Sequence, residues 1–214
     1  ANGFDIGSLA KPITQSGGNV NHDGITVGTA AGAANNTLTL NAFGAVTQSQ
    51  TITAGALQLL GGAGVSYTLT NALNDITTLA ASAAGPISYR DANSYAVGTV
   101  ASTNQFSVAT IPAGSSTNGT TETGSAGSFT ATTVGIHTTA GGTVQLDVPG
   151  TLTINNDINT DGAFAQISTA GTGAVSITSP RSIGTTGDAV SFASPVTLNG
   201  AGTTTIDTTT GAST

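Results

Sequence analysis

The residues Asp157-Ile158-Asn159-Thr160-Asp161-Gly162 set side-chain oxygens at alternate positions ahead of a glycine. This is the D-x-N-x-D-G opening of a calcium loop, with Asp157, Asn159 and Asp161 as the candidate ligands. Such a loop closes on a bidentate acid, and Ser168 stands where that acid belongs. The segment therefore reads first as an Asx turn between strands, with calcium as the alternative. Asn19-Val20-Asn21-His22-Asp23-Gly24 repeats the spacing with a single carboxylate and reads the same way. No other cofactor is expected.

Hydrolysis of a polysaccharide would need paired carboxylates, or a carboxylate beside a strong base, in one groove. The bases Lys11, Arg90, Arg181, His22 and His137 are isolated along the chain, and the lone Glu122 lies in a Ser/Thr-rich stretch. The expectation is a protein that is not an enzyme, with no catalytic residues to name. Thr-x-Thr triplets at 37–39, 51–53, 68–70 and 151–153 raise the idea of a flat ice-binding array, but their intervals are uneven. Outward threonines are in any case ordinary on strands. Asn35-Asn36-Thr37 and Asn118-Gly119-Thr120 match the glycosylation acceptor, a pattern short enough to arise by chance.

The elements that must hold such residues are short strands. Charged residues make up 6% of the 214 residues, against about a quarter in an average soluble protein, while 37% are hydrophobic. Disorder needs the opposite balance, so the chain can bury a core. With no Cys, Met or Trp and six Phe, that core must be thin and filled by aliphatic and β-branched side chains. Alternating triplets supply them: Leu57-Gln58-Leu59, Ile87-Ser88-Tyr89, Val144-Gln145-Leu146, Leu152-Thr153-Ile154, Val175-Ser176-Ile177 and Val196-Thr197-Leu198, each near Gly, Asn, Asp or Pro. Such triplets fit the rungs of an all-β solenoid, a right-handed parallel β-helix with irregular rungs. The alternative is a pair of antiparallel β-sandwich domains, for which hairpin signals such as Asn199-Gly200 are few.

The pattern divides the chain into rungs over 1–100, a Ser/Thr/Gly-rich insertion or long loop over 101–133, and further rungs over 134–214. Leu73, Ile76, Leu79 and Ala80 carry a helix-like spacing, but Asn71, Asn74 and Asp75 favour turns, and a rung corner is the preferred reading. A net charge of −7 without a Lys/Arg cluster argues against nucleic acid as a partner. No run approaches the roughly 18 apolar residues of a membrane span. A start at Ala1 suits a processed product or, as preferred, a piece of a longer protein.

Three stretches, TLTLNAFGAVTQSQTITAGALQLLG (37–61), YTLTNALNDITTLAA (67–81) and AVSFASPVTLNGAGTTTIDTTTGA (189–212), resemble the repeats of filamentous-hemagglutinin-like proteins of Gram-negative bacteria. That resemblance implies a parallel β-helix shaft, a secreted or cell-surface location, and a structural or adhesive role. The sandwich alternative carries a different role, an extracellular module binding glycans or calcium, and a host or cell-surface glycan is a candidate partner. The Asn-Pro pair usual in that family's secretion domain is absent, which would place this segment in the shaft. A solenoid without polar caps is also expected to self-associate into oligomers or filaments.

Overall fold

A computed structural model describes residues 4–6, 25–27, 37–106 and 127–209, with side chains over 37–101 and 132–209. The chain winds through three faces per layer. The first layer holds β1 (Phe4–Ile6), β2 (Ile25–Val27) and β3 (Thr37–Asn41). The second and third hold β4 (Ala45–Gln48) with the long β5 (Ile52–Gly61), and β6 (Ser66–Leu69) with the long β7 (Asp75–Ala83). The fourth runs β8 (Ile87–Arg90), β9 (Tyr95–Val97), a hairpin of β10 (Thr99–Phe106) and β11 (Gly127–Val134), then β12 (Ile136–Thr138). Three regular layers follow: β13 (Val144–Asp147), β14 (Thr151–Ile154) and β15 (Ile158–Thr160); β16 (Phe164–Ile167), β17 (Ala174–Thr178) and β18 (Arg181–Thr185); β19 (Val190–Phe192), β20 (Val196–Asn199) and β21 (Thr204–Asp207).

The first face is a seven-stranded sheet, β1-β4-β6-β8-β13-β16-β19. The second runs through β2, the start of β5 and β7, β9, β14, β17 and β20, and the third through β3, the ends of β5 and β7, β12, β15, β18 and β21. Seven layers make about six turns of a β-solenoid. Among the described strands every pairing is parallel except β10 with β11, which sets aside the sandwich alternative.

Alternation explains why these triplets stack. On the first face Val46, Tyr67, Ile87, Val144 and Phe164 occupy one register column, and each is essentially fully buried. Leu69, Tyr89 and Leu146 fill the next inward column. The second face adds Leu152 over Val175 and Ile154 over Ile177, and the third adds Leu59, Ala81, Ile136, Ile158 and Ile183. Burying each large apolar side chain contributes about 1.5–3 kcal/mol, so a column is held by many modest terms spread along the axis. Parallel strands lie about 4.8 Å apart, which lets one column remain unbroken from layer to layer.

The hairpin leaves and rejoins this stack at one point. Gly135 N–H donates to Gly98 O at 2.9 Å, so the rung closes across its base as though the hairpin were absent. Gly135 has φ +67, and a Cβ there would lie 2.0 Å from Asp157 O; only glycine lets the returning strand pass under the next layer. The hairpin base then lies over the outer side of β5 and β7. Gln58, outward-facing on β5 yet wholly buried, donates to Thr133 Oγ1 at 2.8 Å and accepts from Thr39 Oγ1 at 2.9 Å. Ala80 on β7 is buried beside it.

Candidate functional site

Beyond the hairpin base no described strand lies over the third face, and a groove opens there. It is lined by His137 on β12, Asn159 on β15, Gly184 on β18, and the corner residues Ala140, Asp161 and Thr186, around a volume of about 670 Å³. His137, Asn159 and Gly184 are register partners on three successive strands, so their outward positions form a column parallel to the solenoid axis. The column dips at Gly184, which has no side chain, before continuing to Asp207 on β21. A Cβ at Gly184 would sit 3.2 Å from Asn159 Oδ1, showing that the carboxamide leans over the glycine.

The rim is fixed by Asp161. Its carboxylate accepts from Gly141 N–H in the layer before and from Thr186 Oγ1 at 2.7 Å in the layer after. Those two donors, the backbone N–H first, hold its pKa below the usual carboxylate value, so it remains an anion. Beneath the rim, Thr138, Thr160 and Thr185 stack as a buried column whose hydroxyls donate to Gly142 O, Gly162 O and Asp188 O. The wall is thus tied from both sides.

Two groups in the groove are unspent. Among the described residues neither the His137 imidazole nor the Asn159 carboxamide has a hydrogen-bond partner, and both residues are exposed. Neighbouring carboxamides behave differently. Gln145 accepts from Ser88 Oγ, Asn155 from Thr178 Oγ1 and Asn156 from Thr99 Oγ1, while Asn199 donates to Ser176 Oγ.

The three candidate calcium ligands are arranged along an extended strand. Asn159 and Asp161 share the groove, whereas Asp157 lies at the other end of β15, where its Oδ1 accepts from Ser182 N–H at 2.9 Å. Four residues of extended chain span roughly 13 Å, so β15 does not gather the three around one point. Among the described residues there is no group of three or more His, Asp or Glu set to hold a metal ion. The second copy of the motif, Asn19 to Gly24, lies outside the described residues, as do Lys11, His22, Glu122 and the Asn118 acceptor.

The remaining bases are apart from one another. Arg90 pairs with Asp147 at 3.5 Å, and Arg181 Nη1 donates to Pro180 O at 2.6 Å. The Thr-x-Thr triplets are divided among faces: Thr68 is on the first, Thr153 on the second, and Thr39 is on the third, engaged with Gln58.

A second polar cluster lies inside the corner between the first and second faces. Asp91 is fully buried and accepts from Tyr89 Oη at 2.7 Å, Asn93 N–H at 2.8 Å and Ile76 N–H at 3.1 Å. Burial outweighs those donors and pushes its pKa up to about 6. Tyr95, edge-on to Tyr89 with centroids 5.3 Å apart, is buried with its hydroxyl unpaired among the described residues. Burial and the nearby Asp91 raise the pKa of both phenols well above the ordinary value.

No family model matches the chain, and no curated protein or solved structure is significantly similar to it.

Proposed function

We propose that this chain is a structural shaft segment of an exported cell-surface or filament-forming protein, without enzymatic activity, that extends by stacking further β-layers on its open end. The observation that carries the reading is the seventh layer. Val196, Leu198 and Ile206 hold inward register positions above Val175, Ile177 and Ile183, yet they are 42%, 60% and 52% exposed where the residues beneath are 0–1%. Strands β19, β20 and β21 each pair on one side only among the described residues. Uncovered apolar columns flanked by unpaired parallel edges favour another layer of the same kind. The resemblance to filamentous-hemagglutinin-like repeats supports the exported, adhesive part of the reading.

The test is assembly of the 214-residue chain. Sedimentation velocity and electron microscopy across about a hundredfold concentration range should show growth into end-to-end rods. The double substitution Leu198→Glu and Ile206→Glu should reduce them to single particles with unchanged far-UV circular dichroism. A wild-type chain that stays monodisperse and monomeric throughout would refute the reading.

A further inference from the structure

We propose that the groove on the third face binds a neutral oligosaccharide lying along the solenoid axis across β12, β15 and β18. The inference does not depend on end-to-end assembly, since the groove lies on the flank of the stack and is complete within one chain.

The lining selects the ligand by exclusion and by fit. Its lining includes no Phe, Tyr or Trp and only Ala140 as an aliphatic side chain, so it lacks the buried anchor a peptide needs. Asp161 puts a fixed negative charge on the rim of a chain whose net charge is −7, which disfavours phosphates, nucleic acids and acidic glycans. What remains is a dense set of hydrogen-bonding groups with mixed polarity. The Asn159 carboxamide donates and accepts, the His137 imidazole does both through its two nitrogens, and Asp161 has lone pairs beyond those used by Gly141 and Thr186. Vicinal hydroxyls on a sugar ring, each both donor and acceptor, complement that set.

Gly184 supplies the shape. It is the next-to-last residue of β18, and a glycine within a strand can mark close approach of a ligand or of another backbone. Its bare backbone lets a ring settle beside Asn159. Three layers cover two strand spacings, about 10 Å, which is the span of two linked hexose rings. The Asp161 bridge between layers and the buried threonine column keep the wall in place without the ligand, so little ordering accompanies binding.

The test uses the full chain and defined probes: cellotetraose, mannotetraose, maltotetraose and chitotetraose, with oligogalacturonate and a sulfated tetrasaccharide as anionic counterparts. Binding is followed by chemical-shift changes at the His137 imidazole and Asn159 amide and by saturation transfer to the sugar. At least one neutral probe should bind with a millimolar or tighter Kd. Gly184→Val, which fills the depression with a strand-compatible side chain, and Asn159→Ala should each weaken it at least tenfold. Asn159→Ala removes an exposed, unpaired group, so the thermal midpoint should be unchanged and the variant remains informative even if Gly184→Val folds poorly. The proposal is overturned if no neutral probe moves these resonances at about 10 mM, if the anionic probes bind more tightly, or if Asn159→Ala binds like wild type.

Discussion

Asp91 makes the fold's stability depend on mild acidity in a direction opposite to that of carboxylates held mainly by cations or hydrogen bonds. The residue is wholly buried, and its three hydrogen-bond partners are two backbone N–H groups and a phenol, none of them a cation. The charged and titratable groups around it are Asp75, Asp147, Tyr89 and Tyr95, while the adjacent Arg90 is turned to Asp147. Folding raises its pKa from 3.8 to about 6. At about 1.4 kcal/mol per pH unit, that difference amounts to roughly 3 kcal/mol. Between those two values the folded chain holds a proton that the unfolded chain has released. The contribution is fully present below pH 3.8 and is lost as pH rises through about 6. Asp161 and Asp207, whose pKa values are lowered by hydrogen bonds, act the other way and lose their contribution only under stronger acid. Stability should therefore peak near pH 4. Urea unfolding followed by far-UV circular dichroism in half-unit steps from about pH 4 to 7.5 should show the midpoint falling as pH rises. Asp91→Asn should be less stable at pH 4, because its amide faces donors, and should lose most of the slope. A flat or rising wild-type profile, or a slope that survives Asp91→Asn, would refute the reasoning.

Two further perturbations bear on the stack itself. Phe164→Ala removes a fully buried ring packed edge-on to Phe192 at 5.8 Å, and should cost about 3–5 kcal/mol by chemical denaturation. Glycine replacement should depend on position: Gly135→Ala should destabilise by on the order of 3 kcal/mol, through its positive φ and the clash with Asp157 O, whereas Gly62→Ala, with open space around its Cβ, should change stability by less than about 1 kcal/mol.

The parallel stack is legible in the sequence wherever a rung side is short and straight. Val144-Gln145-Leu146, Leu152-Thr153-Ile154 and Val175-Ser176-Ile177 bury their outer residues and present the middle one outward, as their alternation requires, apart from a partial cover on some middle residues. The alternation fails where one strand turns a corner. In β7, Ile76 and Leu79 both point inward, Leu79 in register with Val97 of the second face, and Ala81 points inward in register with Ile136 of the third, so the phase slips between Ile76 and Leu79. That slip imitates the three-residue spacing of a helix over 73–80. Leu73, the first residue of the pattern, is 69% exposed. Gln58 and Ala80 are buried for a reason no local pattern carries, since the hairpin that covers them comes from far along the chain. The groove was hidden likewise. His137, Asn159 and Gly184 meet through register across layers of unequal length, although two of its members, Asn159 and Asp161, belong to the D-x-N-x-D-G motif.

The unusual composition follows from the corners. A solenoid pairs its backbone along the strands but leaves N–H and C=O groups where the chain bends, and those groups need partners because the corners are partly buried. The N–H groups call for short acceptors. Asp91 accepts from Ile76 in the layer before, Asp147 from Thr169 in the layer after, Asp157 from Ser182, and Asp161 from Gly141. The C=O groups call for short donors, which Thr138, Thr160 and Thr185 provide. Lysine and arginine could donate, but their long stems lose more rotamer entropy and their charge resists burial. A chain whose acids serve as acceptors between layers, and whose donors are hydroxyls, ends with many threonines, few basic residues and a net negative charge. The net charge of −7 is thus in good part a consequence of how the layers are fastened, and the groove inherits its negative rim from the same Asp161 that joins three of them.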